Sequence, residues 1–410
     1  MPAPDEPNDA VVALHVEAAA LAESGVRRLH VLAWRDRDDI DAGGSEVHAD
    51  RFMSRFAAAG LDVLQRTSRA PGLPASADRN GFRVLRRGSR FTVFPRAVVA
   101  ELTGRMGPYD ALIEVWNGVP WLTPVWCRRP TVVFLHHVHG PMWDQILPRP
   151  LAATGRALES RLGPRLYRRA TTLTPSESTR EDLLALGFDA ERVTAVPNGV
   201  DGMFVPGGMR SSSPLVVAVG RLAPVKRFDE LIRAAVAARE RVAGLQLVIV
   251  GEGALRPALD AQIARLAARS WITLLGRQRH EHLASLYQRA WVVASASLAE
   301  GWGLSLTEAA ACGTPAVATD ISGHRSSVAH GVTGVLVPVD ELARALVDVL
   351  VDERLRLRLG AAAAERARTL SWDASALGIL RALRAQTDAL RGGGGPDRVG
   401  PPRSRAATAN

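Results

Sequence analysis

Short apolar runs alternate along the chain with longer segments whose apolar positions recur every three or four residues, the pattern of parallel strands flanked by helices. Residues 29–34 read as a first strand, and a loop and a helix over 45–59 follow. Ala49, Phe52, Met53 and Phe56 share one face of that helix, and Gly60 closes it. Residues 111–115, 131–135, 171–174 and 192–196 read as further strands of a first α/β domain spanning 1–205. Between Asp201 and Pro214 the composition turns to Gly, Pro and Ser (DGMFVPGGMRSSSP), as in a linker. The rhythm then restarts with strands over 215–219, 245–250, 271–275, 291–294, 315–318 and 335–337, a second α/β domain spanning 206–390. Helices are predicted over 340–351, 353–369 and 372–390, the last placed so that it can return to the first domain. Residues 391–410 carry too little apolar content to fold and are expected to be disordered. Two doubly wound domains joined by one short linker predict a cleft between the carboxyl ends of their strands, and any chemistry is expected there.

Composition narrows the classes. At 410 residues, 47% hydrophobic and 23% charged, the chain is globular, and no apolar run approaches the roughly 18 residues of a membrane-spanning helix. The first ten residues are acidic where a secretory signal would be basic, so no export signal is expected. Cys127 and Cys312 can close one bridge at most and have no metal-ligand spacing around them, which fits a reducing, cytoplasmic setting. The net charge of +9 invites a nucleic-acid reading, but residues 1–205 hold 25 basic and 24 acidic side chains against 26 and 18 in 206–410. Fifty of the 51 basic residues are Arg, a compositional bias rather than a phosphate-backbone surface. The one dense basic cluster, residues 83–90 (RVLRRGSR), lacks aromatic stacking partners. It reads as a solvated surface, with peripheral contact to an anionic membrane as the second reading.

Four segments can carry chemistry. In Glu300–Glu308 (EGWGLSLTE) the glycines at 301 and 303 put Glu300 in a loop, with a helix starting near Leu304 or Ser305. The free N–H groups of such a start favour an anion. Ser305 and Glu308 also have capping-box spacing, which would account for both without a ligand, but not for Glu300. In VGRLAPVKRF, Arg221 and Lys226 flank a turn containing Pro224, and both can converge above the sheet to hold a diphosphate. Lys226 is the only lysine of the chain; two ordinary surface cations are the alternative. Asp41–Glu46 (DAGGSE) lacks the third glycine of a dinucleotide fingerprint and follows too long a loop, so nicotinamide binding loses support. Gly43 and Gly44 still permit close backbone approach to an anion, or form a flexible loop with Ser45 as N-cap. His136, His137 and His139 follow the strand 131–135; their spacing argues against zinc, and a strand-end imidazole handling a proton stands beside a merely packed one. The segment 116–121 (WNGVPW), at another strand end, can shape a pocket for a second substrate.

Together, at these relative positions, the segments resemble glycosyltransferase family 4, retaining nucleotide-sugar transferases of the GT-B fold. The matching pieces are GGSEVHA, LTPSESTREDL, VPNGVD, VAVGRLAPVKRFDELI, VGEG and EGWGLSLTEAAACGTPAVATD, spread over about residues 29–337. The resemblance implies two Rossmann-like domains across a cleft and transfer of a sugar from a nucleotide diphosphate to an acceptor hydroxyl. It implies no metal, no cofactor and no nucleic-acid partner. Arg221 and Lys226 would hold the diphosphate, and the backbone of Trp302, Gly303, Leu304 and Ser305 its distal phosphate. Glu308 would bind the ribose, Glu300 the transferred sugar, Gly43 and Gly44 the diphosphate from the opposite side, and His136 the region near the sugar. An epimerase or hydrolase of like architecture, or a nucleotide-sugar-binding protein without turnover, is the alternative.

Overall fold

In the computed structural model, which describes residues 9–146 and 148–392, the apolar runs become strands buried on both faces, as parallel sheets between helical layers require. The first sheet contains β1 (Arg28–Leu32), β2 (Asp62–Thr67), β3 (Ser76–Arg79), β4 (Phe82–Arg86), β5 (Ala111–Trp116), β6 (Thr131–Leu135), β7 (Thr171–Thr174) and β8 (Val193–Ala195). Their order is β3-β4-β2-β1-β5-β6-β7-β8, and every pairing is parallel except β3 with β4. The second sheet contains β9 (Leu215–Val219), β10 (Gln246–Val250), β11 (Ile272–Gly276), β12 (Val292–Ser295), β13 (Ala316–Thr319) and β14 (Gly334–Val337). It runs β11-β10-β9-β12-β13-β14, wholly parallel.

In both sheets the order in which strands are added reverses beside the first strand, between β1 and β5 in the first and between β9 and β12 in the second. Such switch points leave a crevice at the carboxyl ends of the strands. The loops that fill the two crevices are residues 33–43 and 117–122 on one side and 220–227 and 296–303 on the other, so the segments singled out above face each other by topology. No described helix is long and apolar enough to cross a membrane.

The last helix, Trp372–Gly392, belongs to the core of the first sheet: Ala376, Leu377, Ile379, Leu380 and Leu383 are buried there with Phe52, Phe56 and Phe134. The chain passes between the sheets twice, at Val200 and Ser371, and the two passages pair as a parallel β-bridge. Gly199 is held there by contact, because a β-carbon would lie 2.1 Å from the Trp372 nitrogen. An N-terminal helix, Asp9–Glu23, is an element the sequence pattern does not predict; Leu14, Ala18 and Leu21 bury it in the same core, and Glu17 pairs with Arg384. From residue 393 onward the expected disordered tail lies outside the described residues.

The basic cluster 83–90 needs correction. Its first half is strand β4, and Arg86 is 1% exposed, paired with Asp36 and, at 2.8 Å, with Asp38. Arg83 and Arg87 are exposed, while Arg90 reaches Asp41 at 3.1 Å. A solvated surface therefore describes only alternate residues, because the strand period turns every second side chain inward. Arg86→Met would leave Asp36 buried without its counter-charge and is expected to cost about 3–5 kcal/mol in denaturant unfolding. Arg83→Met, on the exposed face, is expected to stay within about 0.5 kcal/mol.

Candidate active site

Gly303, at φ +95°, turns the chain into the helix Leu304–Ala311 as its N-cap. Thr307 and Leu306 donate back to the Gly303 carbonyl at 3.3 and 3.0 Å, so the N–H groups of Leu304 and Ser305 have no partner within the helix. The capping box expected from Ser305 and Glu308 does not form: the cap is a glycine, no side chain caps this end, and Ser305 lies inside the first turn. Glu308 instead accepts a hydrogen bond from the Tyr287 hydroxyl at 3.0 Å. Burial pushes its carboxyl up to about 7, against the pull of that hydrogen bond. Trp302 is buried, with its indole nitrogen unpartnered.

Glu300 precedes this turn and is bonded to Lys226, the cation of the β9 loop, and to the Ser297 hydroxyl at 2.8 Å. Burial raises its carboxyl, but Lys226, His324 and these hydrogen bonds more than offset it and hold the group below the usual carboxylate range. Glu300 is therefore an anion at neutral pH, already matched to a cation. Arg221 does not join the pair; exposed, it donates to the Asp41 carbonyl of the first domain at 2.9 Å. Arg277 binds the neighbouring Ile40 carbonyl at 3.0 Å, so two second-domain guanidiniums hold the loop that leads into the glycine pair.

That pair meets the second domain directly. A β-carbon on Gly44 would lie 3.2 Å from Cδ1 of Leu304, placing the glycine loop over the helix start. The N-cap of the helix Gly44–Ala58 is Gly43, not Ser45, and the Gly43 N–H donates to the Glu46 carboxylate at 2.7 Å. Gly301 fits under the His136 carbonyl, 2.3 Å from where its β-carbon would stand.

For His136 the placement differs from the expectation. Its ring turns into the first domain, 5% exposed, with Nε2 at 3.2 Å from His48 Nδ1 and its own Nδ1 unpartnered. Only its backbone reaches Gly301. His137 is the member of the trio whose side chain meets the Gly301 turn, its Cβ 3.3 Å from where a β-carbon at 301 would stand; burial pushes its pKa down to about 4 while the charge of Glu300 opposes the shift. It is a neutral imidazole at pH 7, stacked on His139 at 4.2 Å. The order of strand-end residues does not tell which ring turns toward the opposite domain, and nothing near Tyr287 or Ser297 in the sequence marks them as partners of Glu308 and Glu300. Among the described residues no group of three or more His, Cys, Asp or Glu side chains is arranged to hold a metal ion.

Two doubly wound domains with facing switch points, one carrying an uncapped helix start beside a Lys–Glu pair, define a glycosyltransferase of the GT-B fold. A family model described as "Glycosyl transferases group 1" matches residues 204–366, and one described as "Glycosyltransferase Family 4" matches residues 42–202. The chain is 31% identical over 401 residues to the D-inositol 3-phosphate glycosyltransferase of Kribbella flavida, covering 85% of this chain and 92% of that one. It is 34% identical over 240 residues to the protein of the same name from Rhodococcus erythropolis, there spanning about half of each chain (56% and 54%). Among solved structures, sucrose-phosphate synthase from Thermosynechococcus elongatus superposes with a TM-score of 0.76 at 23% identity, covering 88% of this chain and all of that one. Anabaena HepE in complex with UDP and glucose superposes with a TM-score of 0.68 at 20% identity over the same shares. The chain belongs to glycosyltransferase family 4.

Two outcomes test the site's geometry. Glu308→Gln removes a carboxyl whose folded pKa is raised, a group that favours the folded state below its unfolded pKa near 4.5 and ceases to as pH rises through about 7. The Tm of the variant relative to the parent is therefore expected to rise as pH is taken from 5 to 8. Gly301→Ala must push the His136 backbone away, and its activity is expected to fall further than its Tm.

Proposed function

We propose that the chain transfers a sugar from a nucleotide diphosphate to an acceptor hydroxyl with retention of anomeric configuration and without a metal. The observation that carries this reading is the ion pair of Lys226 and Glu300 beside the unpartnered N–H groups of Leu304 and Ser305. A diphosphate placed against Lys226 and the helix start would find an ammonium and two backbone donors as its charge grows on departure. Arg221 is near enough to the glycine loop to contribute a guanidinium from the same side. Glu300, ionised and restrained by Ser297, is suited to accept hydrogen bonds from the hydroxyls of the transferred sugar. Glu308, one turn into the helix, is assigned to the ribose. HepE, which shares the fold, was solved with UDP and glucose, in keeping with a nucleotide-sugar donor here.

The step we favour is attack by the acceptor oxygen on the face from which the diphosphate leaves, through an oxocarbenium-like state. The acceptor O–H gives its proton to the departing phosphate, the C–O bond to the phosphate breaks, and the new glycosidic C–O bond forms on the same side. His137, neutral and beside the Gly301 turn, is assigned a hydrogen-bonding role toward the sugar rather than that of an obligatory base. We assign the activity to the cytoplasm, in line with two free thiols, Cys127 and the buried Cys312.

Lys226→Ala and Glu300→Gln are each expected to lower turnover by about 10²–10³-fold in protein that still folds, with the larger loss of Tm in Lys226→Ala, which leaves the Glu300 charge without its partner. Full turnover in both would overturn the assignment. A panel of nucleotide sugars, read by thermal stabilisation and by product analysis, identifies the donor. Epimer or free sugar as the main product in the presence of acceptor would favour an epimerase or hydrolase instead.

A further inference from the structure

The segment LTPSESTREDL contributes no residue to the transfer centre, yet it touches the second domain. It follows β7 and forms the helix Glu177–Ala185, capped by Ser176, whose Oγ accepts from the Thr179 N–H at 3.0 Å. The next serine crosses between the domains. Half-buried Ser178 donates to the Ser322 carbonyl at 2.7 Å and lies 2.6 Å from the Ser326 hydroxyl, and Ser322 Oγ donates to Asp182 at 3.1 Å. Both second-domain serines belong to the short helix Ser322–Ser327, which follows β13.

That short helix also bears on Glu300. A β-carbon on Gly323 would lie 2.2 Å from the Glu300 carbonyl oxygen and 2.8 Å from the Glu300 β-carbon, so the main chain of one residue rests against the other. His324, 1% exposed, ties the helix to the sheet beneath, with Nδ1 2.7 Å from the Thr319 carbonyl oxygen and Nε2 3.2 Å from Ser295 Oγ. A contact made by backbone has no flexible tip to absorb a displacement, and a shift of the helix is passed on to Glu300. Gly301, the next residue, fits under the His136 carbonyl. The turn at 300–301 thus meets the first domain twice, directly at His136 and through Gly323 at Ser178.

We propose that Ser178 is a positioning residue for Glu300: acting through the helix Ser322–Ser327, its hydroxyl holds the turn at 300–301 where the carboxylate meets the transferred sugar. The inference rests on the sugar-binding role proposed for Glu300 above. Lys226 and Ser297 fix the carboxylate relative to the second domain alone. The serine contact fixes it relative to the first, which supplies the loops after β5 and β6. A carboxylate set by one domain alone keeps no register with a ligand gripped by both. Neutral hydroxyls suit such a contact, because making it desolvates no charge.

Binding reads this role without an acceptor. The ligands are the nucleotide sugar of the panel that stabilises the protein most and the nucleoside diphosphate it would release; calorimetry gives both Kd values, and their ratio reports the grip on the sugar. Glu300→Gln sets the scale and is expected to raise the ratio of nucleotide-sugar Kd to diphosphate Kd about tenfold. Ser178→Ala is expected to raise it at least fivefold, with the diphosphate Kd, which also checks folding, within twofold of the parent's. Ser326→Ala, which removes the facing hydroxyl, is expected to move the ratio the same way. Added to Glu300→Gln, Ser178→Ala is expected to raise it no further, since both changes act on one contact. An unchanged ratio in the folded serine variants, equal weakening of both ligands, or full additivity with Glu300→Gln would each overturn the positioning role. If Glu300→Gln itself leaves the ratio unchanged, or no nucleotide sugar binds, the sugar-binding or donor reading fails first, and the role of Ser178 falls with it.

Discussion

The carbonyl oxygen of His136 and the α-carbon of Gly301 meet where β6 has ended on one domain and the loop after β12 turns on the other. A β-carbon at 301 would stand 2.3 Å from that oxygen, and one at Gly44 would stand 3.2 Å from Leu304. At 301 any larger residue must displace main chain, whereas at 44 it would press on the tip of the Leu304 side chain, so the closer constraint is the one at Gly301. The approach brings His137, a neutral imidazole, against the turn at Gly301 that follows the ionised Glu300, and lays the glycine loop over a helix start with unpartnered N–H groups. Every proposed contact to a ligand at the centre depends on this spacing.

Charge in the cleft is organised by pairing. In an arginine-rich chain the first-domain loop that faces the second domain alternates acid and base, and the guanidiniums in and around it are matched by carboxylates: Arg37 of the loop with Asp50, Arg79 of β3 with Asp38 and Asp50, Arg86 of β4 with Asp36 and Asp38, and Arg90 with Asp41. The second domain supplies what the first neutralises. Lys226 is a compact ammonium held by one carboxylate and next to backbone donors, so an incoming anion can share it without desolvating a second buried charge. Under the proposed transfer, asymmetry of this kind would place the anionic end of the donor against the second domain.

The fold was legible because parallel strands buried on both faces are continuous apolar runs, and three of them, β6, β7 and β9, begin and end where the pattern places them. β2 and β4 were not legible. Gln65, Arg66 and Arg86 interrupt their apolar pattern, yet all three are buried, Arg66 by donating to the Arg87 carbonyl at 2.7 Å and Arg86 by its aspartates. A sequence shows the charge but not the partner that makes its burial tolerable. The N-terminal helix stayed hidden for a different reason: its apolar face is complete only against the helix Trp372–Gly392, more than 350 positions away. Glycine and cation spacing pointed to loops that the fold brings to the facing crevices. The direction of each ring at 136, 137 and 139 depends on which neighbour, His48 or Glu300, lies across from it, and that is a tertiary fact.

The double passage at Val200 and Ser371 ties these observations to the helix that carries Glu308. Because the final helix is part of the first domain's core, the two domains are joined by two crossings that pair with each other, not by one flexible strand. Any change in the angle between the sheets has to turn about this pair, where Gly199 leaves no room for a side chain. Beside it, Asp201 accepts from Arg51 of the first domain and lies 3.6 Å from His280 of the second. The charges of Arg51, Asp201 and His280 all reach Glu308, whose carboxyl titrates near neutrality. A rotation that separated Arg51 from Asp201 would remove a cation from that field and raise the carboxyl further. The crossing that limits how the domains move thus also contributes, behind burial and the Tyr287 hydrogen bond, to the titration of a residue in the cleft they enclose.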